Sequence, residues 1–143
     1  MTKRTRLRID ARIERIERSC EWLASVAARD RDTVLASIET VAAVERMLEI
    51  AVQATIDVAS HLVAAEAWPT PETYAQAFAV LEVRGVLPAE LAKNLRRAVG
   101  LRNALAHDYL DIDVARMLAS LPADIADLRA FCAAVTAWVA KAP

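Results

Sequence analysis

The sequence predicts an all-α fold, an up-and-down bundle of about five helices joined by short connections. Three observations carry that expectation. Only 2 Gly and 5 Pro interrupt 143 residues that are 56% hydrophobic and rich in Ala, Leu, Val, Arg and Glu, which a helical core accepts. Apolar side chains recur at steps of three and four along the chain. Several of the Pro and Gly residues sit where one helix would stop and the next begin. A chain of this length has the size of one domain, residues 1 to 143. It is long enough to bury roughly two thirds of its unfolded surface without a disulfide or a metal.

In the first helix Ile9, Ile13, Ile16, Cys20, Leu23 and Ala27 form a single apolar stripe that ends near the charged "ARDRD". The second, from about Thr33 to Ala67, is apolar on more than one face through Ile38, Val41, Val44, Leu48, Val52 and Ile56. A helix of that kind is either central in its bundle or shared with another subunit. In "WPTPETYAQAF" Thr70 reads as an N-cap and Pro71 as the first residue of a third helix, which Gly85 closes. Pro88 opens the fourth helix, which runs into "GLRNALAHDYLDID". Beyond it Asp113 caps a short turn, and Pro122 begins a last helix carrying Ile125, Leu128, Phe131, Val135 and Val139.

Composition narrows the function classes. Cys20 and Cys132 fall in apolar patterns and read as core thiols, in keeping with a reducing, cytoplasmic setting. No apolar run follows the charged N-terminus, and Glu, Asp or Arg break the long hydrophobic stretches before the roughly 20 residues of a membrane span. The expectation is a soluble protein with no membrane partner. A formal net charge of −1 points to no particular ligand. Lys3, Arg4, Arg6, Arg8, Arg12, Arg15 and Arg18 make the first helix basic, and Glu14, Glu17 and Glu21 balance it as on an ordinary solvated face. Gly-rich phosphate loops, Cys/His metal spacings and a Ser/His/Asp set are all missing, which argues against an NTPase, a zinc enzyme or an acyl hydrolase.

One irregularity remains, on the fourth helix. Leu91, Leu95, Ala98, Arg102, Leu105 and Tyr109 share one face, so Arg102 interrupts an apolar stripe. A guanidinium there must meet a carboxylate inside the fold or look into a cleft that receives an anion. Asn103 and His107 are four apart, so the amide can orient the imidazole. Arg102 and His107 are five apart, roughly 140° around a regular helix. They converge on one ligand only if the helix distorts or a second subunit completes the site. Gln53, Asp57 and His61 form a second polar line at steps of four, in which Asp57 and His61 read as a hydrogen-bonded pair or as support for catalysis.

The order and spacing of "VERMLEIAVQATIDVASHLV", "PETYAQAFAVLEVRGVLP" and "VGLRNALAHDYLDID", covering about residues 40 to 115, resembles the HEPN-domain ribonucleases, specifically the HepT-like toxins. The resemblance implies a small all-α protein that dimerises through its long second and fourth helices and cuts RNA with no metal or other cofactor. It implies restraint by a minimal nucleotidyltransferase antitoxin. Arg102 and His107 match the catalytic pair, Asn103 the polar residue beside the arginine, and Tyr109 the tyrosine that the partner adenylylates. Leu101, Ala104 and Ala106 depart from the family pattern by packing residues only. The implied reaction needs a base for the 2′-hydroxyl, a cation for the phosphorane and an acid for the 5′-oxygen, and a dimer brings two copies of Arg102 and His107 to one cleft. The alternative is a non-catalytic HEPN-type module that binds a nucleotide or a nucleotidyltransferase partner.

Overall fold

The computed structural model describes residues 1–107 and 112–143, in which six helices are found. Helix α1 (Lys3–Ala27) starts where the Thr2 hydroxyl accepts from the Thr5 N–H, and it buries Ile9, Ile13, Ile16, Cys20 and Leu23 along the expected stripe. A one-turn helix, α2 (Arg31–Leu35), follows. The Asp30 carboxylate accepts from both the N–H and the hydroxyl of Thr33, which holds its pKa below the usual range. Ser37 then caps α3 (Ile38–Ala65) by accepting from the Thr40 N–H. The expected start at Thr33 is therefore corrected: two good N-caps stand close together, and each closes its own helix.

The third expected helix also starts later. Thr70 and Pro71 lie in the loop, and α4 (Tyr74–Val83) is capped by Thr73, whose hydroxyl accepts from the Gln76 N–H. Gln76 reaches back to the N–H of Glu72, a variant of the capping box. Gly85, at φ 78, ends α4 as expected: its N–H bonds to the Glu82 carbonyl and that of Val86 to Leu81. Only a residue free to adopt the left-handed region closes both bonds without strain. Ala67 makes the same closure for α3 at φ 54, with Trp68 N–H on the Val63 carbonyl. Helix α5 (Ala89–Ala106) begins at Pro88. Asp113 caps not a short turn but the long α6 (Val114–Lys141), with Pro122 inside it. Proline there removes one backbone bond, and burial of Met117, Leu118 and Leu121 on the preceding turns keeps the helix continuous. The count of six rather than five comes from α2.

Helix α3 packs against all five others and forms the centre of the bundle. Ala54, Thr55, Ile56, Val58, Ala59, Leu62 and Val63 are all buried, so its apolar circumference is used within one chain. Among the described residues it is the one helix long and apolar enough to cross a bilayer, which the reading of charges did not anticipate. Asp57 alone carries charge in its last four turns, and it is the surrounding helices that cover its apolar faces. Helices α1 and α6 run antiparallel. Arg6 donates to the Val139 and Ala142 carbonyls, both at 2.8 Å, placing a cation on the C-terminal end of α6. Cys20 and Cys132 are free and buried between these two helices, and burial pushes their thiols up to about 11 and about 12. Within the basic run Arg18 pairs with Glu14 of the same helix at 2.7 Å, and Arg12 lies 3.7 Å from Asp57 of α3.

Candidate active site

Leu91, Ala92, Leu95 and Val99 fix one side of α5 in the core, and the next side chain along that stripe is Arg102. It is half-buried. Its Nη1 donates to Asn103 Oδ1 at 3.1 Å, while its Nε is enclosed and has no hydrogen-bond partner. Among the described residues no carboxylate forms a salt bridge with it. A guanidinium with a neutral amide as its neighbour has donors to offer an anion. It lies just before the last turn of α5, near the carbonyl end of the helix, which favours a cation.

His107 is the exposed C-cap of α5, and its N–H bonds to the Asn103 carbonyl at 3.1 Å. The helix is thus regular up to the histidine, and roughly 140° of arc separates Arg102 from His107. Asn103 turns its amide oxygen to the guanidinium, so its interaction with Arg102 was missed by a reading that looked only four residues ahead. Tyr109 lies outside the described residues.

The second polar line faces another neighbour. Asp57 accepts from Gln53 Nε2 at 2.9 Å and lies 3.7 Å from Arg12 Nε of α1, and no hydrogen bond joins it to His61. The expected Asp57–His61 pair is corrected: an arginine from α1 competes for the carboxylate. Burial, and then Arg12 and Arg8, hold the His61 pKa below its ordinary value against the opposing pull of Asp57. A cavity of about 450 Å³ between α1 and α3 includes Arg12, Arg15, Arg46, Gln53 and Asp57. Ser60, Val63 and Ala64 occupy a different stripe of α3 and share a cavity with Asn103. Within one chain, therefore, Asp57 and His61 do not line the cavity beside the Arg102–Asn103 pair.

That second cavity, of about 670 Å³, was missed in the sequence. It lies among the end of α3, the 66–73 loop, the start of α4 and the last turns of α5. The loop is held in place by Trp68, whose ring meets Trp138 edge to face at 5.9 Å and carries the Arg84 guanidinium at 5.4 Å. Among the described residues no group of three His, Cys, Asp or Glu is placed to hold a metal ion.

Comparison with known proteins adds the following. A family model described as ribonuclease HepT-like matches residues 10–135. A tRNA nuclease HepT of Aphanizomenon flos-aquae (strain 2012/KM1/D3) is 35% identical over 105 residues, 73% of this chain and 71% of that protein. An mRNA nuclease HepT of Shewanella oneidensis is 31% identical over 62 residues, 43% of this chain and 47% of that protein. Among solved structures, a tri-AMPylated Shewanella oneidensis HEPN toxin in complex with MNT antitoxin superposes with a TM-score of 0.85 at 22% identity, over 96% of this chain and 99% of that one. At that identity the likeness speaks for the fold, which is shared over nearly the whole chain.

Proposed function

The chain belongs to the HepT-like ribonuclease family and has its HEPN-type all-α fold, and from that premise we propose that it is an endoribonuclease toxin of a type VII-like toxin–antitoxin pair. It cuts RNA without a metal, at a cleft between two copies of the chain, and is silenced when a minimal nucleotidyltransferase antitoxin adenylylates Tyr109. The observation that carries the reading is Arg102, a half-buried cation with an enclosed, unpartnered Nε and, among the described residues, an amide and no carboxylate bonded to it.

In this reading the 2′-oxygen attacks phosphorus, a 2′,3′-cyclic phosphate forms and the bond to the 5′-oxygen breaks. One His107 takes the 2′-hydroxyl proton, and the other, protonated copy gives a proton to the leaving 5′-oxygen. Arg102 holds the non-bridging oxygens as charge builds on them, and Asn103 positions Arg102. Asp57 and His61, on the α1 side, have a structural part. A two-fold dimer supplies both histidines and removes the difficulty of the 140° arc. For a dimer through α3 and α5, the apolar side chains left half-buried are Val41, Ala43, Met47 and Ile50 on the first and Ala98, Leu101, Ala104 and Leu105 on the second. The antitoxin half of the proposal is supported by the AMPylated toxin solved with its MNT antitoxin. An adenylyl group on Tyr109 adds an anion that competes with RNA phosphate for Arg102.

The test is cleavage of a mixed RNA substrate in excess EDTA by full-length protein whose mass excludes an adenylyl adduct. Activity that disappears in His107→Ala and leaves cyclic phosphate and 5′-hydroxyl ends is expected, as is Tyr109→Phe that cuts but escapes silencing by the antitoxin. No cleavage by folded, unmodified dimer would leave a non-catalytic module that binds a nucleotide or its nucleotidyltransferase. Cleavage giving only 5′-phosphate ends would overturn the chemistry.

A further inference from the structure

The cavity beside Asn103 has no part in the mechanism above, and its walls specify an occupant. Its volume of about 670 Å³ lies within the roughly 300–1,000 Å³ of ligand pockets. Val63 and Ala64 of α3, Pro71 of the loop and Val99 of α5 give it apolar walls. The hydroxyls of Ser60 and Thr70 and the amide of Asn103 add donors and acceptors, while the Thr73 hydroxyl is committed to capping α4. Among the described residues no Lys or Arg lines it, and the one charged residue is Glu72. A phosphate is therefore disfavoured inside, whereas a flat, neutral, hydrogen-bonding group is accommodated.

Tyr74 stands among the residues lining this cavity with 55% of its surface exposed. The other described aromatics all have packing to do. Phe78 and Phe131 are buried against each other, Trp68 and Trp138 meet edge to face, and Trp22 rests on the core. Tyr74 is the first residue of α4, and its ring is not part of the core. An exposed ring among the lining of a cavity that offers no cation to a phosphate, next to a helix turn that carries one, fits a stacked base whose phosphate lies outside.

We propose that this cavity is a base pocket for single-stranded RNA, in which a nucleotide near the cleaved phosphate stacks its base on Tyr74. Ser60, Thr70 and Asn103 meet the edge of the base. Asn103 joins the two parts of the site, since it lines the cavity and holds Arg102 Nη1. The inference rests on the ribonuclease reading and deepens it: the substrate must offer an unpaired base, so a duplex binds poorly.

The experiment measures binding to the His107→Ala protein, which does not turn the RNA over, with and without Tyr74→Ala or Tyr74→Phe added. The probes are a 12-nucleotide single strand and a series in which one abasic residue is walked along it. Stacking on an aromatic ring contributes enough that its removal should weaken binding roughly 5- to 150-fold in Tyr74→Ala. Tyr74→Phe, which keeps the ring, should bind as the parent does. At one position the abasic residue should weaken binding to the parent but add nothing to Tyr74→Ala. Equal losses from Tyr74→Ala on every probe, no loss at all, or a change in dimer association in place of base affinity would each overturn the pocket. Cleavage by the protein with native His107, together with any of those results, leaves the ribonuclease standing. If that protein neither binds nor cuts RNA, both proposals fall.

Discussion

Replacing Arg102 with methionine separates a catalytic cation from a structural one, because the two roles predict opposite effects on stability. Methionine keeps an unbranched stem to fill the space that the arginine side chain occupies. What disappears is an enclosed Nε–H with no acceptor and one hydrogen bond to Asn103. An unsatisfied enclosed donor costs about 1–3 kcal/mol, and an ordinary intramolecular bond contributes about 0.5–1.5 kcal/mol. The difference leaves Arg102→Met between about 0.5 kcal/mol less stable and about 2.5 kcal/mol more stable than the parent. Catalysis should move the other way, since removal of a donor aimed at developing charge lowers turnover by about 10²–10³. Urea unfolding at pH 7 and RNA cleavage in EDTA, measured on the same preparations, give both numbers. A stability loss of about 3 kcal/mol or more would refute the reasoning, because that is the signature of a buried carboxylate left without its cation.

Two further predictions follow from the backbone and from a titrating group. Ala67 holds φ 54 in the same closing turn that Gly85 makes at φ 78. Ala67→Gly should therefore stabilise by about 0.5–1 kcal/mol and Gly85→Ala destabilise by about 1 kcal/mol. Thermal melts of the two variants check this, and shifts of the same sign would sink it. Asp124 on α6 has its carboxyl pushed up to about 6, by burial first and Asp127 second. The folded state thus binds that proton more tightly than the unfolded chain, and the group's contribution to stability falls as pH rises from about 4 to about 6. Asp124→Asn should be more stable than the parent at pH 7, with the advantage gone below about pH 4; an advantage that is the same at both pH values would count against the assignment.

The helices were legible because the apolar period at Ile9, Ile13, Ile16 and Cys20, or at Leu91 and Leu95, needs only local sequence to be read. Their ends were less so. Asp30 and Ser37 are both competent caps and each starts its own helix, whereas of Thr70 and Thr73 the second caps α4, and residue type alone distinguishes none of these outcomes. Pro122 looks like a helix start until the neighbouring Leu121 is seen to be buried and the helix held through it. Ala67 lacks the glycine that marks such a turn in sequence. In the site, the interrupted stripe singled out Arg102 but left open a carboxylate partner or an anion-receiving cleft, and among the described residues no carboxylate pairs with it. The Asp57–His61 pair failed because a spacing of four says that two residues share a face, not which neighbour meets it. Arg12, far away in sequence, takes part of that carboxylate. The Tyr74 cavity was invisible for the same reason, since α3, α4, α5 and a loop each supply a wall.

The arc between Arg102 and His107 makes the number of chains in the cleft a measurable quantity. If each cleft needs His107 from both copies, a dimer with one His107→Ala chain is inactive. Co-refolding wild type with two parts of His107→Ala makes wild-type chains one third of the total, and random pairing then leaves about one ninth of the dimers with two histidines. Cleavage per total chain should fall to about that ninth, following the square of the wild-type fraction. A chain that completes its own site would retain about one third, in proportion to the fraction itself. Three mixing ratios distinguish a square from a line without any knowledge of the RNA target. A linear result would mean that one His107 suffices in each cleft, acting with the Arg102 of the other copy or with that of its own. The regular last turn of α5 opposes the second arrangement, because it keeps the two side chains on different sides of the helix.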